Sequence, residues 1–433
     1  MKRNILIVFF CLFSLASFGQ YKVFGGSKDP YLAVDESITQ VYLLNGLSGA
    51  RISFTSEESY THKWYKYNKY ANQSEPVDCV QFGNTSTITD ISDGYGYYVG
   101  ETISSLTRHV WIIDYSSYIP VFKSINYEEL DDRCTNLKLM IDMDVDKLTY
   151  YTPGGLPTEV TREYTLDYKT MVWNSDNKMF MNEYMEETIK GNVSDYIVNA
   201  PLADTDYRFS GDQFASYFGL EKSMETPVYE AVAVESKVLI DSVGFDSSSN
   251  QITGDGNTIS APAEFTFTAY ANEPVAAFYT WKVYNLDKSS TEPVSQTTSK
   301  ILHYTFDEPG NYSVNLDVSD SKSTCTYQDP IKDETFNVSD FMLFIPNAFS
   351  PTTSPGVNDE FKVAYKSIVK FNAKIYSTWG IELFHWTDPS QGWDGKYRGK
   401  YVPPGTYYYI IEAESGTGQK YVRKGDVNIV GGK

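Results

Sequence analysis

Apolar and polar residues alternate along most of this chain. The alternation holds for about five to eight residues at a time, as in half-buried strands. Gly, Pro, Asn, Asp or Ser then break it, at intervals of about 8–12 residues, the rhythm of β-sandwiches. Helical periodicity is confined to a short turn expected within Gly211–Leu220. Expected strands are Ala50–Thr55, His62–Tyr67, Gly96–Glu101 and Val110–Tyr115, then Leu137–Val145, Thr161–Tyr168, Met179–Glu183 and Val228–Val234. Glu264–Tyr270, Tyr279–Val283 and the run Tyr312–Val318 follow. The pattern predicts an all-β chain of four modules: residues 20–119, 120–236, 237–340 and 343–433.

Composition sharpens this picture. Aromatics reach 15 %, with 36 Tyr, which favours sheets and contact surface over helical bundles. The N-terminus reads differently. Lys2 and Arg3 precede an apolar run from Ile5 to Phe18, and Ser17 and Gly19 supply small residues before Gln20. Residues 1–19 are therefore expected to be a secretory signal peptide. Cys11 follows Phe10, where a lipid-attachment site needs a small residue. Loss of the leader takes the net charge from −20 to −22. So acidic a chain offers no basic face to phosphates, which excludes nucleic acid as a partner. Three cysteines remain. Cys79 and Cys134 are a candidate disulfide in an oxidising compartment, leaving Cys325 over; three unpaired thiols are the plainer alternative.

Several segments resemble known families. Trp64 and Trp281 sit in strands like the core Trp of strand C in immunoglobulin-like sandwiches. Asp93–Tyr98 resembles the turn before strand F with its tyrosine corner. In the third module, His303–Phe306 leads to the Pro309–Gly310 turn. Tyr312, Val314, Leu316 and Val318 then alternate onto one face. This resembles the PKD family, although that family's Gly-Asp-Gly loop is missing.

The fourth module carries the most specific resemblance. It opens on Pro346, Asn347, Phe349, Ser350 and Pro351, and continues with Asn358, Asp359 and Phe361. Trp379–Gly380 and Trp393–Asp394–Gly395 follow, then Gly405, Tyr407, Tyr408 and Tyr409, and finally Lys424–Gly425. Their order and spacing resemble the gliding-motility-associated C-terminal domain, the type B sorting signal of the type IX secretion system of Bacteroidetes. The family's acidic turn is replaced here by Thr352–Gly356, so no calcium site is carried over. The resemblance implies export through the type IX outer-membrane translocon to the cell surface. It also implies attachment through a PorP/SprF-like outer-membrane protein. Residues 343–433 hold 11 Lys and Arg against 8 Asp and Glu, and the rest of the mature chain 23 against 48. Body and tail are therefore suited to different partners.

Catalytic patterns are scarce. His62, His109, His303 and His385 are scattered, without metal-ligand spacing. No Gly-x-Ser-x-Gly elbow or phosphate loop occurs. Asp142, Asp144 and Asp146 begin like a calcium loop, but Lys147 and Pro153 fill its sixth and twelfth places. They read instead as the outer face of a strand. Glu57–Glu58 and Asp131–Asp132 are carboxylate pairs of the frequency chance allows. Tyr65, Tyr67, Tyr70, Tyr95, Tyr97 and Tyr98 could serve recognition, though sheet packing is the commoner use. Asp241–Ser242–Val243 fits a short O-glycosylation pattern. The expectation is a non-enzymatic surface protein without cofactor or metal. It acts by protein–protein binding as an accessory or signalling component of the secretion system, with a layout similar to PorA and envelope signalling components as partners. The alternative is a cell-surface adhesin exported as passive cargo.

Overall fold

A computed structural model describes residues 20–100, 108–242, 251–252, 258–328, 335–353 and 356–431. The expected signal peptide lies outside these residues, as does Val243 of the glycosylation pattern. The chain is all-β, and Gln213–Phe218 is the α-helix among the described residues. Asp212 caps it, accepting from the Ala215 N–H at 2.9 Å, and Gly219 at φ 73° closes it in the left-handed region.

Two sheets face each other within residues 20–114. One orders Gln20–Phe24, Arg51–Thr55, Thr85–Ile88 and Val80–Phe82. The other orders Tyr31–Asp35, Thr39–Leu44, His109–Asp114, Tyr95–Val99, Trp64–Tyr67 and Glu75–Val77. Between them lie Ile52, Phe54, Trp64, Tyr97, Val110 and Ile112. The six-stranded sheet is apolar on its other face as well. There Val41, Leu43, Tyr67, Tyr98, Trp111 and Ile113 pack against Leu148, Tyr150, Val160, Phe214 and Phe218 of the following segment. A sheet covered on both faces loses its alternation, so His109–Ile113 is buried at every position. The seam expected at 119–120 is thus a shared core.

A buried ion pair reinforces it. Arg162 and Asp212 are both almost fully buried and in direct contact. The Tyr115 hydroxyl donates to Asp212 at 2.6 Å, and Arg162 donates to the carbonyls of Tyr118 and Asp146 at 2.7 and 3.0 Å. Burial and this carboxylate together push the Tyr115 phenol well above its usual range.

The second module sets Val121–Glu129, Asn136–Asp144 and Asp195–Asn199 against a sheet of Met179–Lys190, Glu163–Asn174, Arg208–Gly211 and Lys222–Glu225. Ile125, Leu139, Tyr164, Leu166, Phe209 and Tyr229 fill the space between. The expected strand at Val228–Val234 is not formed. A single bridge joins Tyr229 to Thr205, and Tyr229, Ala233 and Val234 are buried.

The third module buries Trp281, Phe267, Phe306, Val314, Leu316 and Val318 between two sheets. Tyr312, Val314, Leu316 and Val318 share the buried face of Gly310–Asp320, as the alternation requires. This module packs directly on the second. The Asn272 amide donates to the carbonyls of Leu202 and Ala233, both at 2.9 Å, and its oxygen accepts from the Glu235 N–H at 2.9 Å. The Trp173 and Tyr270 rings lie 5.5 Å apart.

The disulfide joins Cys134 to Cys325, with Cα atoms 5.5 Å apart, and not Cys79 to Cys134. Cys134 lies just beyond Val121–Glu129 and Cys325 just before Thr326–Gln328, so abutting sandwiches bring them together across 191 residues. Cys79 is a free thiol in the first sandwich, its sulfur 3.7 Å from the His62 carbonyl oxygen. Peptide mapping without reduction should recover a Cys134–Cys325 linked peptide and an alkylated Cys79. Replacing both bridged cysteines with Ser should destabilise the second and third sandwiches by about 2–5 kcal/mol in denaturant unfolding.

Candidate recognition surface on the C-terminal sandwich

The last module is built on a five-stranded sheet ordered Ala348–Phe349, Lys420–Ile429, Gly405–Glu414, Lys370–Tyr376 and Glu382–Trp386. Most motif residues build its interior. Phe349, Phe361 and Trp393 are buried, and the Phe349 and Tyr407 rings lie 5.5 and 5.4 Å from Trp393. Phe361 and Trp393 exchange backbone hydrogen bonds at 2.8 and 3.2 Å. The Trp393 indole N–H donates to the Lys396 carbonyl at 2.9 Å. Asp394 accepts from the Lys396 backbone at 3.0 Å and its ammonium at 2.8 Å. Gly395, at φ 78°, leaves room for Pro351, whose Cγ a Cβ there would approach to 3.0 Å. The Tyr407 hydroxyl donates to the Pro403 carbonyl at 2.7 Å, closing the turn into Gly405.

The opening motif is a strap. Asn347 accepts from the Asn428 N–H at 2.9 Å, and half-buried Pro346 precedes it. The Ser350 N–H donates to the Asn358 carbonyl at 2.7 Å. Asn358 turns the chain at φ 57°, and Asp359 accepts from the Gly356 N–H. The Tyr409 ring lies over Gly425, where a Cβ would overlap its hydroxyl.

The remaining motif residues face outward. Trp379 is 89 % exposed, and Tyr408 and Lys424 are also exposed. Register sets Tyr376, Tyr408 and Asp426 in one row across the sheet, and Lys374, Ile410 and Lys424 in the next. Tyr376, Tyr408, Asp426, Ile410 and Lys424, with Thr378 and Gly380, border a cleft of about 510 Å³. Ile381 and Val422 add exposed apolar surface nearby. Sequence reasoning grouped Trp379, Tyr408 and Lys424 with Trp393 and Tyr407 as one motif. The alternation of Gly405–Glu414 already separates inward Tyr407 from outward Tyr408.

Other candidates prove structural. Of the Tyr cluster, Tyr67, Tyr97 and Tyr98 are buried, Tyr65 and Tyr95 are half-buried, and only Tyr70 is exposed. Burial pushes the Tyr97 phenol up to about 12. Asp142 and Asp144 are exposed and pair with Lys123 at 3.7 and 2.6 Å. Glu57, Glu58, Asp131 and Asp132 are exposed and form no cleft pair. No three metal-ligating side chains cluster among the described residues. His303 bonds Thr266 at 3.0 Å and His385 bonds Asn372 at 2.7 Å. His62 is buried. The Trp64 indole donates to Ser86 Oγ at 2.7 Å, and that hydroxyl shares a hydrogen bond of 2.6 Å with His62 Nδ1. Nε2 meets Ser56 Oγ at 2.9 Å, and Ser56 donates to the Glu58 carbonyl at 2.6 Å. Burial lowers the His62 pKa.

The family model of the CHU_C type IX secretion signal domain matches residues 343–429. That of the fibronectin type III domain, Fn3_FA, matches residues 126–226. The chain therefore carries a type IX secretion signal behind a fibronectin- or immunoglobulin-like module, and that signal directs export across the outer membrane to the cell surface. Similar solved structures include a tetra-tandem repeat from the extending region of a large adhesion protein. It is 11 % identical, over 90 % of this chain and 99 % of that one, with a TM-score of 0.20. Dimeric latent PorU from Porphyromonas gingivalis is 11 % identical over 75 % of this chain and 35 % of that one, with a TM-score of 0.16. A Ca2+-stabilised adhesin with which an Antarctic bacterium binds ice is 9 % identical over 88 % and 93 %, with a TM-score of 0.19. Scores this low reflect poor whole-chain superposition. No curated protein matches the chain.

Two tryptophans should respond oppositely. Trp393→Ala should destabilise the C-terminal sandwich by about 3–5 kcal/mol, while Trp379→Ala should change stability by less than about 0.5 kcal/mol, both read by thermal unfolding. Because His62 has a lowered pKa when folded, the unfolded chain binds its proton first. The stability it contributes should be complete above about pH 6.5 and decline as pH falls below that value. His62→Gln should flatten this decline in a midpoint titration.

Proposed function

We propose that this protein is a non-enzymatic accessory or signalling component of the type IX secretion system, acting by protein–protein binding at the cell surface. Its identified modules are of non-catalytic kinds. The observation that favours an active role over passive cargo is the coupling of body to sorting sandwich. Ser367 is fully buried at their junction. Its N–H donates to Ser260 Oγ at 2.8 Å, its Oγ accepts from the Ala261 N–H at 3.2 Å, and that hydroxyl also contacts the Ser339 carbonyl. The Ile252 N–H donates to the Tyr365 carbonyl at 2.7 Å, and Phe341 stacks on Tyr421 at 3.8 Å. Gly416 lies so close to the Asp307 carbonyl that a Cβ would overlap it. A partner gripping the sorting sandwich, such as a PorP/SprF-like outer-membrane protein, thereby also positions the body, where envelope signalling components can meet it.

The second reading is a passenger adhesin. The edge strand Val80–Phe82 favours it, since Val80 and Phe82 are 74 % and 89 % exposed. Deleting the gene and quantifying other type IX cargo in envelope and medium separates the two. Under the accessory role that cargo falls. Unchanged cargo would leave the adhesin.

A further inference from the structure

We propose that the outer face around Trp379, Tyr408 and Lys424 is the surface by which the sorting sandwich is captured for export. Its occupant is a protein groove that is acidic and lined with apolar side chains. This rests on the export reading and names the contact that would perform it.

The placement comes from strand register. Tyr376, Tyr408 and Asp426 share one end of the sheet, while Lys370, Glu414 and Lys420 share the other. Gly416, which touches the body, follows Glu414 at that second end. The Trp379 turn follows Tyr376 and so projects from the end away from the body. The face stays open while the junction is closed.

The Trp379 indole is held out in an ordered turn. The Ser377 hydroxyl accepts from the N–H groups of Trp379 and Ile381 at 3.3 and 3.2 Å. The Ser377 N–H donates to the Ile381 carbonyl at 2.9 Å. An exposed Trp on a fixed turn adds nothing to the core. As a binding anchor it loses little freedom when a pocket closes over it. The cleft beside it offers Tyr408 and the stem of Lys424 to a partner side chain.

Charge selects the partner. Lys370 and Lys374 are paired with Glu414 and Glu382, both at 2.9 Å. Among the described residues, Lys424 forms no ion pair; it borders the cleft with Asp426 as the one acid there, while Arg423 takes the opposite parity along its strand. The sorting sandwich has a small positive excess, whereas the body has 48 acids against 23 bases. An acidic groove repels the body and draws in this domain, orienting the encounter.

The test uses the full chain in its own cells. A Trp379→Ala/Tyr408→Ser/Lys424→Glu variant should lower the protease-accessible surface fraction by about tenfold, with accumulation in the periplasm. Its purified form should keep the parent's thermal midpoint, and Trp379→Phe should export normally. Truncation after Ser339 is the reference. If the truncated body is trapped but the stable triple variant reaches the surface at parental levels, the face is not the contact. If the truncated body itself is displayed, the export reading fails together with the inference. A triple variant that is trapped but has lost its thermal midpoint is replaced by Lys424→Glu alone. Full export of that variant also contradicts the proposal.

Discussion

A sheet with two apolar faces needs two covers, and this constraint organises the N-terminal half of the chain. Strand His109–Asp114 has no water-facing side until its last residue. The four-stranded sheet covers one face of its layer. The other is covered by residues of the next segment, including Phe214 and Phe218 on the short helix. The first two modules therefore cannot separate without exposing aromatic surface to water, at roughly 25 cal/mol per Å². Arg162 and Asp212 sit inside this seam. Breaking that pair would strand a buried charge, so it favours one docking geometry over others.

Later junctions are held by different means. Between the second and third modules the contact combines the Asn272 hydrogen bonds, the Trp173–Tyr270 ring contact and the Cys134–Cys325 bond. Between the third module and the sorting sandwich it is a compact set of backbone and serine hydrogen bonds around Ser367. Each junction is built from residues a free sandwich would leave unsatisfied or exposed, so the chain behaves as linked bodies rather than beads on a flexible tether. In such a chain, export signal and body are presented together.

Much of this was legible from the sequence because a strand's two-residue period is written directly in its side chains. The alternation places Tyr312, Val314, Leu316 and Val318 on one face, and they share it. The sorting motifs located the last sandwich, where the type IX secretion signal model matches residues 343–429. What escaped was everything that depends on how modules meet. Cys79–Cys134, the candidate pair beside the alternative of three unpaired thiols, is not the bond formed, because sequence spacing carries no record of which sandwiches abut. The strand expected at Val110–Tyr115 carries no sign of the double cover that buries His109–Ile113. Tyr67, Tyr97 and Tyr98 could equally have been contact surface until their burial was known. The division of the sorting motif into a core around Trp393 and an open face around Trp379 was only half legible. Alternation separates Tyr407 from Tyr408, but Trp379 lies in a turn and Trp393 in an isolated bridge, where no period applies.

The most direct test of the central claim, that the C-terminal sandwich carries a coupled body to the outside of the cell, is protease shaving of intact cells with mass mapping of the released peptides. The account predicts peptides from all three body modules, among them the Cys134–Cys325 linked pair, without permeabilising the outer membrane. Release of body peptides only after permeabilisation would contradict it.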